Sequence, residues 1–118
     1  MSFCRLALVA LLVIAGPAYA EGTSCPAYQG KNPLVSVTLF DGPPSEMASL
    51  MPDVSKGSGD HAYSSWGVGY IFDAGRSLYL VCEYSGSKNT TTIKVEKKVQ
   101  QCTYRTHSAP KPVELNCK

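Results

Sequence analysis

The sequence predicts an all-β domain with one short helix, built as a small antiparallel barrel or sandwich and stabilised by disulfides. Three observations lead to this prediction. Apolar and polar residues alternate along most of the chain, which is the period-two pattern of strands with one buried face. Turn-forming Gly, Pro, Asn and Asp recur at intervals of about ten residues, as in small all-β folds. Four cysteines follow the N-terminal segment, an even number in a chain that we expect to be exported.

The N-terminal segment has the pattern of a secretory signal peptide. Arg5 supplies a positive charge, residues 6–15 form an apolar run, and Ala18-Tyr19-Ala20 is a small-x-small cleavage site. The apolar run is shorter than the ~20 residues that a membrane span needs. We therefore expect a signal peptide over residues 1–20, a single domain over residues 21–118, no stable membrane anchor after cleavage, and a periplasmic or secreted location.

Strand signals fall in six segments: residues 35–40, 66–72, 78–84, 92–96, 102–104 and 113–117. In the first segment Val35, Val37 and Leu39 alternate with polar residues, which predicts one shared apolar face. The segment 78–84 is apolar on both faces for most of its length, which predicts a central strand. Residues 73–76, with the sequence Asp-Ala-Gly-Arg, predict a hairpin turn before it.

The stretch between the first two predicted strands contains turn and helix signals. Residues 41–44 read Asp-Gly-Pro-Pro and end the first strand, because proline cannot donate to a sheet ladder and Asp-Gly favours a turn. Residues 45–51 predict a short helix. Its apolar side chains share one face that would pack on the sheet: Met47, Leu50 and Met51. Residues 52–64 are polar and predict a long loop that is either mobile or functional.

The four cysteines of the mature chain predict two disulfides, and the sequence alone leaves three pairings open. We favour Cys25–Cys117, which would tie the two ends of the mature chain together, with Cys82–Cys102, which would join neighbouring strands. No close C-x-x-C pair is present, so we expect no metal site, and the sequence indicates no cofactor.

Charge is unevenly distributed along the chain. Residues 21–87 contain seven acidic and three basic side chains, whereas residues 88–118 contain seven basic and two acidic ones. A basic C-terminal third is typical either of a solvated strand face or of a surface for an acidic partner. We expect no nucleic-acid partner, because the excess is small and an exported protein seldom meets nucleic acid.

Few residues are suited to catalysis. Asp60 and His61, with Ser64 or Ser65, contain the side-chain types of a small hydrolase. Adjacent Asp and His side chains rarely take the geometry of a triad, and no nucleophile-elbow pattern surrounds either serine. We therefore predict a non-enzymatic protein and assign no catalytic residue.

Two surface features predict binding. The first is the tip of a hairpin at residues 85–89, which would present hydroxyls and an amine; its candidate contact residues are Ser85, Gly86, Ser87 and Lys88. The second is the face of Gly67 and Gly69, where bare backbone would let another chain or a sugar ring approach. Trp66 and Tyr70 lie beside this face as candidate contacts. The alternatives are an ordinary polar turn, a bend in the sheet, and a core role for Trp66.

Two motifs are similar to those of a known family. Residues 40–46 read FDGPPSE and residues 79–84 read YLVCEY, with Leu50, Pro52, Trp66 and Cys102 around them. This pattern resembles a group of short exported proteins of Gram-negative bacteria with an FDGPP motif and a YLxCxY strand. The resemblance implies a periplasmic, disulfide-bonded, β-rich domain and supplies no catalytic residues.

A second, looser similarity concerns residues 84–88, Tyr-Ser-Gly-Ser-Lys. They are similar to the loop that periplasmic lysozyme inhibitors, which are small exported β-barrels, place in the cleft of a lysozyme. The sequence as a whole predicts a binding module of the cell envelope, whose partner is an unknown envelope protein or a cell-wall component. An inhibitor of a lysozyme or other peptidoglycan hydrolase is the alternative, and a small hydrolase is the second alternative.

Overall fold

The structure, a computed structural model, describes residues 20–118, which fold as a sandwich of two β-sheets. The predicted all-β class is confirmed, in the form of a sandwich and not of a closed barrel. The predicted signal peptide lies outside the described residues, apart from Ala20.

Nine strands make up the sheets of this part of the chain: β1 (Ala20–Glu21), β2 (Tyr28–Gln29), β3 (Asn32–Asp41), β4 (Val54–Lys56), β5 (Tyr63–Gly67), β6 (Leu78–Tyr84), β7 (Thr91–Val95), β8 (Gln101–Arg105) and β9 (Glu114–Cys117). One α-helix, α1 (Gly69–Asp73), and two 3-10 helices, Pro44–Glu46 and Gly59–His61, are also present. The first sheet has the order β1-β7-β6-β3-β2 and the second β4-β5-β8-β9. All pairings are antiparallel except β1–β7. No helix among residues 20–118 is long and apolar enough to cross a membrane.

β6 is the central strand of the first sheet, as its two apolar faces predicted. Leu78 and Leu80 on this strand are fully buried. They belong to one apolar cluster that also includes Trp66 and Leu115 of the second sheet. Burial of apolar surface from both sheets in a single layer is the main contribution that holds such a sandwich together.

β3 contains a register shift that changes which of its side chains face the core. Its pairing with β6 shifts between Leu34 and Ser36, which leaves Val35 as an extra residue. Leu34 is buried and Val35 is 46% exposed, whereas Val37 and Leu39 pack with the core. The predicted shared face is therefore wrong for Val35, because a bulge of one residue reverses the alternation.

The chain after Trp66 departs from its predicted strand. β5 ends at Gly67 and α1 follows, so the strand over residues 66–72 and the hairpin turn at residues 73–76 are wrong. β5 pairs with β4 and β8 in the second sheet, and the chain crosses to β6 in the first sheet through α1. Ile71 is fully buried in this crossing. A short apolar run is compatible with a helix as well as with a strand. Here the segment forms a helix because the chain has to pass from one sheet to the other.

The predicted helix at residues 45–51 is reduced to one 3-10 turn. Met47 follows this turn with a left-handed backbone, at φ 59°. The chain then runs extended beside β3, where the Leu50 N–H donates to the Leu39 carbonyl at 2.8 Å. We call residues 42–53, which connect β3 to β4, the strap. The predicted loop at residues 52–64 is also largely regular, since it contains β4 and the 3-10 helix Gly59–His61.

All four cysteines in the described chain form disulfides, but the favoured pairing is wrong. The bonds are Cys25–Cys82 and Cys102–Cys117. Cys102 and Cys117 lie directly opposite each other on β8 and β9. The favoured Cys82–Cys102 bond assumed that these two cysteines lie on neighbouring strands. They lie on β6 and β8, which belong to different sheets, and the sequence does not give the strand order.

Candidate functional site

The residues of the hydrolase alternative do not assemble into a triad. Asp60 accepts a hydrogen bond from Ser108 Oγ at 3.3 Å, and the His61 side chain makes no hydrogen bond or ion pair within the described residues. Ser64 shares a hydrogen bond with another serine, and Ser65 is buried. Because a triad holds its base between an acid and a nucleophile, the arrangement lends no support to acyl transfer.

The structure brings together the two histidines that are distant in sequence. His61 and His107 line a shallow pocket of about 210 Å³, which Arg105 also lines. The Arg105 guanidinium lies 4.7 Å from the centre of the Tyr63 ring. His107 Nε2 lies 3.3 Å from Glu114 Oε2, an ion-pair distance without hydrogen-bond geometry. Among residues 20–118, no cluster of His, Cys, Asp and Glu is suited to hold a metal ion.

The predicted hairpin tip lies at the end of the β6–β7 pair. Its exposed residues are Ser85, Gly86 and Lys88, and Ser87 is half-buried. Gly86 has φ +72°, which glycine adopts without steric cost. Ser87 Oγ accepts a hydrogen bond from the Asn89 N–H at 3.2 Å. The tip is thus an internally hydrogen-bonded polar turn, and its binding role stays a prediction.

A side chain lies beside each glycine of the predicted bare face, Asp53 at Gly67 and Gln100 at Gly69. Asp53 Oδ2 accepts a hydrogen bond from the Gly67 N–H at 2.6 Å. The carboxamide of Gln100 lies so close to Gly69 that it would have to move to admit a Cβ atom. The prediction of open backbone is therefore wrong for Gly69, which is buried, whereas Gly67 is exposed and a binding role at this face stays a prediction.

The two aromatic residues beside this face have different surroundings. Trp66 is 7% exposed, and its indole N–H donates to the Leu50 carbonyl at 3.3 Å. Tyr70 on α1 is 52% exposed. Trp66 is therefore a core residue that supports the strap from below, and Tyr70 is the one of the pair that reaches the surface.

An exposed apolar surface that we did not predict lies on and beside the strap. Met47 is 83% exposed and Met51 is 87% exposed. Val54, which follows the strap directly on β4, is also exposed, and we call these three residues the strap surface. The helical spacing of the two methionines had indicated a buried face. The flanking prolines at residues 43, 44 and 52 were the signal against a helix, since they leave too few residues for one.

An ion pair ties the start of the strap to the part of the chain that follows α1. Arg76 forms a two-point ion pair with Asp41, with Nε–Oδ1 at 2.7 Å and Nη2–Oδ2 at 2.8 Å. Asp41 raises the pKa of the Arg76 guanidinium through these hydrogen bonds and its charge. Asp41 immediately precedes the strap and Arg76 follows α1, so the ion pair joins these two parts of the chain.

A family model of type VI secretion system Tli immunity proteins matches residues 29–118 of this chain. The match covers most of the chain and includes β3 to β9 with the whole strap. The chain belongs to this Tli immunity family.

Membership in the Tli immunity family agrees with the coarser part of the earlier resemblance, which was to a short bacterial family. The matched residues include both the FDGPP segment and the YLVCEY strand, although the presence of these motifs in the family stays a prediction. An immunity protein protects against an effector, so the family indicates a protein partner and a non-enzymatic role. Comparison with curated proteins and with solved structures found no match.

Proposed function

We propose that this protein binds and neutralises an effector of a type VI secretion system in the periplasm. The family match over residues 29–118 carries this proposal. The signal-like segment at residues 1–20 supports export. The two disulfides support an oxidising compartment, because such bonds persist there and are rare in the cytoplasm. The partner, expected from the sequence to be an unknown envelope protein or a cell-wall component, is then an effector protein.

Neutralisation by binding requires a rigid surface and no reaction. The sandwich supplies rigidity, since one apolar core lies between its sheets and two disulfides cross-link the chain. A surface that is ordered before binding loses less conformational entropy on association, which favours tight complexes. We therefore expect a stoichiometric complex in which this protein blocks the effector and is itself unchanged.

Protection of a susceptible cell is the test of this proposal. Each type VI effector of the strain that encodes this protein is expressed in a host and directed to its periplasm. The same host either lacks this protein or expresses it with residues 1–20. We expect that this protein abolishes the toxicity of one effector. A version without residues 1–20, which stays in the cytoplasm, is the matched control and should not protect.

A biochemical measurement separates this function from lysozyme inhibition. The purified protein should inhibit the activity of that effector at a one-to-one ratio and leave cell-wall lysis by lysozymes unchanged. If this protein protects against none of the effectors, the proposal is refuted. Slower lysis by a lysozyme, without such protection, would support the inhibitor alternative and its loop at residues 84–88.

A further inference from the structure

The strap surface exposes methionines that contribute little to folding. Met47 and Met51 are more than four-fifths exposed and lie outside the apolar core, whereas Leu50 between them packs against it. Exposed apolar side chains that group together mark sites of protein contact. Methionine suits such a site, because its flexible and polarisable side chain adapts to the surface of a partner.

The strap holds these methionines on a backbone that is hydrogen-bonded to both sheets. On the first sheet, the Asp41 N–H donates to the Ala48 carbonyl at 3.0 Å, and Leu50 bonds to β3. On the second sheet, the Asp53 N–H donates to the Ser65 carbonyl at 2.9 Å, and Trp66 donates to the Leu50 carbonyl. The strap is thus ordered before any partner binds, which lowers the entropic cost of binding.

The backbone at Met47 indicates that folding does not favour this side chain. Its φ of 59° lies in the left-handed region, where Met47 is the only residue other than glycine within the described chain. An L-residue with a Cβ atom is disfavoured there, and glycine or asparagine would avoid the cost. Such strained positions concentrate at functional sites. A methionine that is both strained and exposed therefore fits a role in contact with a partner.

The charge around the strap surface selects the kind of partner. The strap contains Glu46 and Asp53 and no basic residue. Asp41, just before it, is neutralised by its ion pair with Arg76. A two-fold dimer through this surface would bring the acids of both copies into one interface that holds no base from the strap, and an anionic lipid surface would be repelled. The complementary partner is a protein pocket that is apolar inside and basic at its rim.

We propose that the strap surface is the effector-binding surface of this protein, with Met47 and Met51 entering an apolar pocket rimmed by basic residues. This inference rests on the proposed immunity function. It identifies the strap, and not the hairpin tip at residues 85–88, as the principal contact.

The test compares two double variants of the full chain, exported with its own leader and purified from the periplasm. Met47→Gly/Met51→Ser removes the two methionines, and glycine also relieves the left-handed backbone. Tyr28→Ser/Val35→Ser is the matched control, since it removes two exposed apolar side chains from the β2–β3 edge. Affinity for the effector that the protection assay identifies is measured by calorimetry, and stability by urea unfolding.

We expect the methionine variant to bind the effector at least about 30-fold more weakly than the wild type does. Truncation of residues at the centre of an interface typically has an effect of this size. Its unfolding midpoint should equal or exceed that of the wild type, and the control should bind within about threefold of it. Glu46→Lys should slow association at low salt, because it reverses the charge that faces the basic rim.

Failure of this inference is distinguishable from failure of the proposed function. If the wild type protects against an effector and the methionine variant binds that effector within threefold, the strap surface is not the contact. Loss of a wild-type dimer in the methionine variant, measured by light scattering, would instead assign the surface to a second copy. If the wild type binds phosphatidylglycerol vesicles and the methionine variant does not, the strap surface is a lipid contact. Either the dimer result or the vesicle result overturns the inference.

Discussion

The two disulfides close loops of different length, so their removal should destabilise the fold by different amounts. Cys25–Cys82 spans a separation of 57 residues and Cys102–Cys117 a separation of 15. The loops do not overlap. Each bond joins one fully buried cysteine to one that is nearly buried, at 7% and 8% exposure for Cys25 and Cys117. Replacement of either pair by alanine therefore removes similar packing, and the difference between the two variants reports loop closure.

The magnitude follows from the entropy of the unfolded chain. In the loop-closure model, a bond stabilises by about 3 kcal/mol for the shorter loop and about 4 kcal/mol for the longer one at 25 °C. The free energy of unfolding of Cys25→Ala/Cys82→Ala should thus lie about 1 kcal/mol below that of Cys102→Ala/Cys117→Ala.

Urea unfolding, followed by the fluorescence of the single tryptophan Trp66, measures both variants with one probe. The indole is buried between the strap and the core, so its emission reports exposure on unfolding. Equal free energies, or a larger loss for the Cys102–Cys117 variant, would refute the reasoning from loop length.

Three further predictions follow from single residues. Gly42→Val should destabilise by about 1–3 kcal/mol in urea or thermal unfolding, because Gly42 has φ +89°, where a β-branched residue is strained; an unchanged midpoint would contradict this. Burial raises the pKa of Tyr84 in the folded protein, so the free energy of unfolding should be insensitive to this group below about pH 10 and fall as the pH rises through the folded pKa. Tyr84→Phe should lessen that loss of free energy above about pH 10, and a pH dependence equal to that of the wild type would count against the assignment. His61→Ala should leave effector neutralisation unchanged, whereas loss of a hydrolytic turnover in this variant would revive the hydrolase alternative.

The sequence predicted those parts of the fold in which local alternation decides the structure. Residues 78–84 are apolar on both faces, and β6 is central. Ile93 and Val95 alternate with polar residues and are buried from β7. The last two strands also lie where alternation placed them, because a strand with one wet face requires that pattern.

Elements that depend on long-range partners could not be predicted in the same way. The segment after Trp66 alternates like a strand, yet the chain must cross between sheets there and forms α1. Cys82 and Cys102 are close in sequence, but strand order places them in different sheets. Local pattern does not contain strand order, so neither the crossing nor the disulfide pairing could be derived from it.

The candidate site was missed for a related reason. Met47 and Met51 have the spacing of a buried helical face, but the edge of β3 offers hydrogen bonds that an extended strap satisfies. Once the backbone leaves the helix at Met47, only Leu50 still points to the core. The methionines are exposed because the strap is extended and hydrogen-bonded to β3, which their spacing in the sequence does not indicate.

The docking of the strap along β3 also bears on solubility. β3 is the longest strand in the described chain, and a long open edge of this kind recruits foreign strands and seeds fibrils. Here β2 caps one end of that edge and Ser49 bridges Phe40 at the other, with the bulge near Val35 between them. These contacts leave little of the edge free to template aggregation, which would suit a protein that has to match its effector one to one, as the proposed function requires.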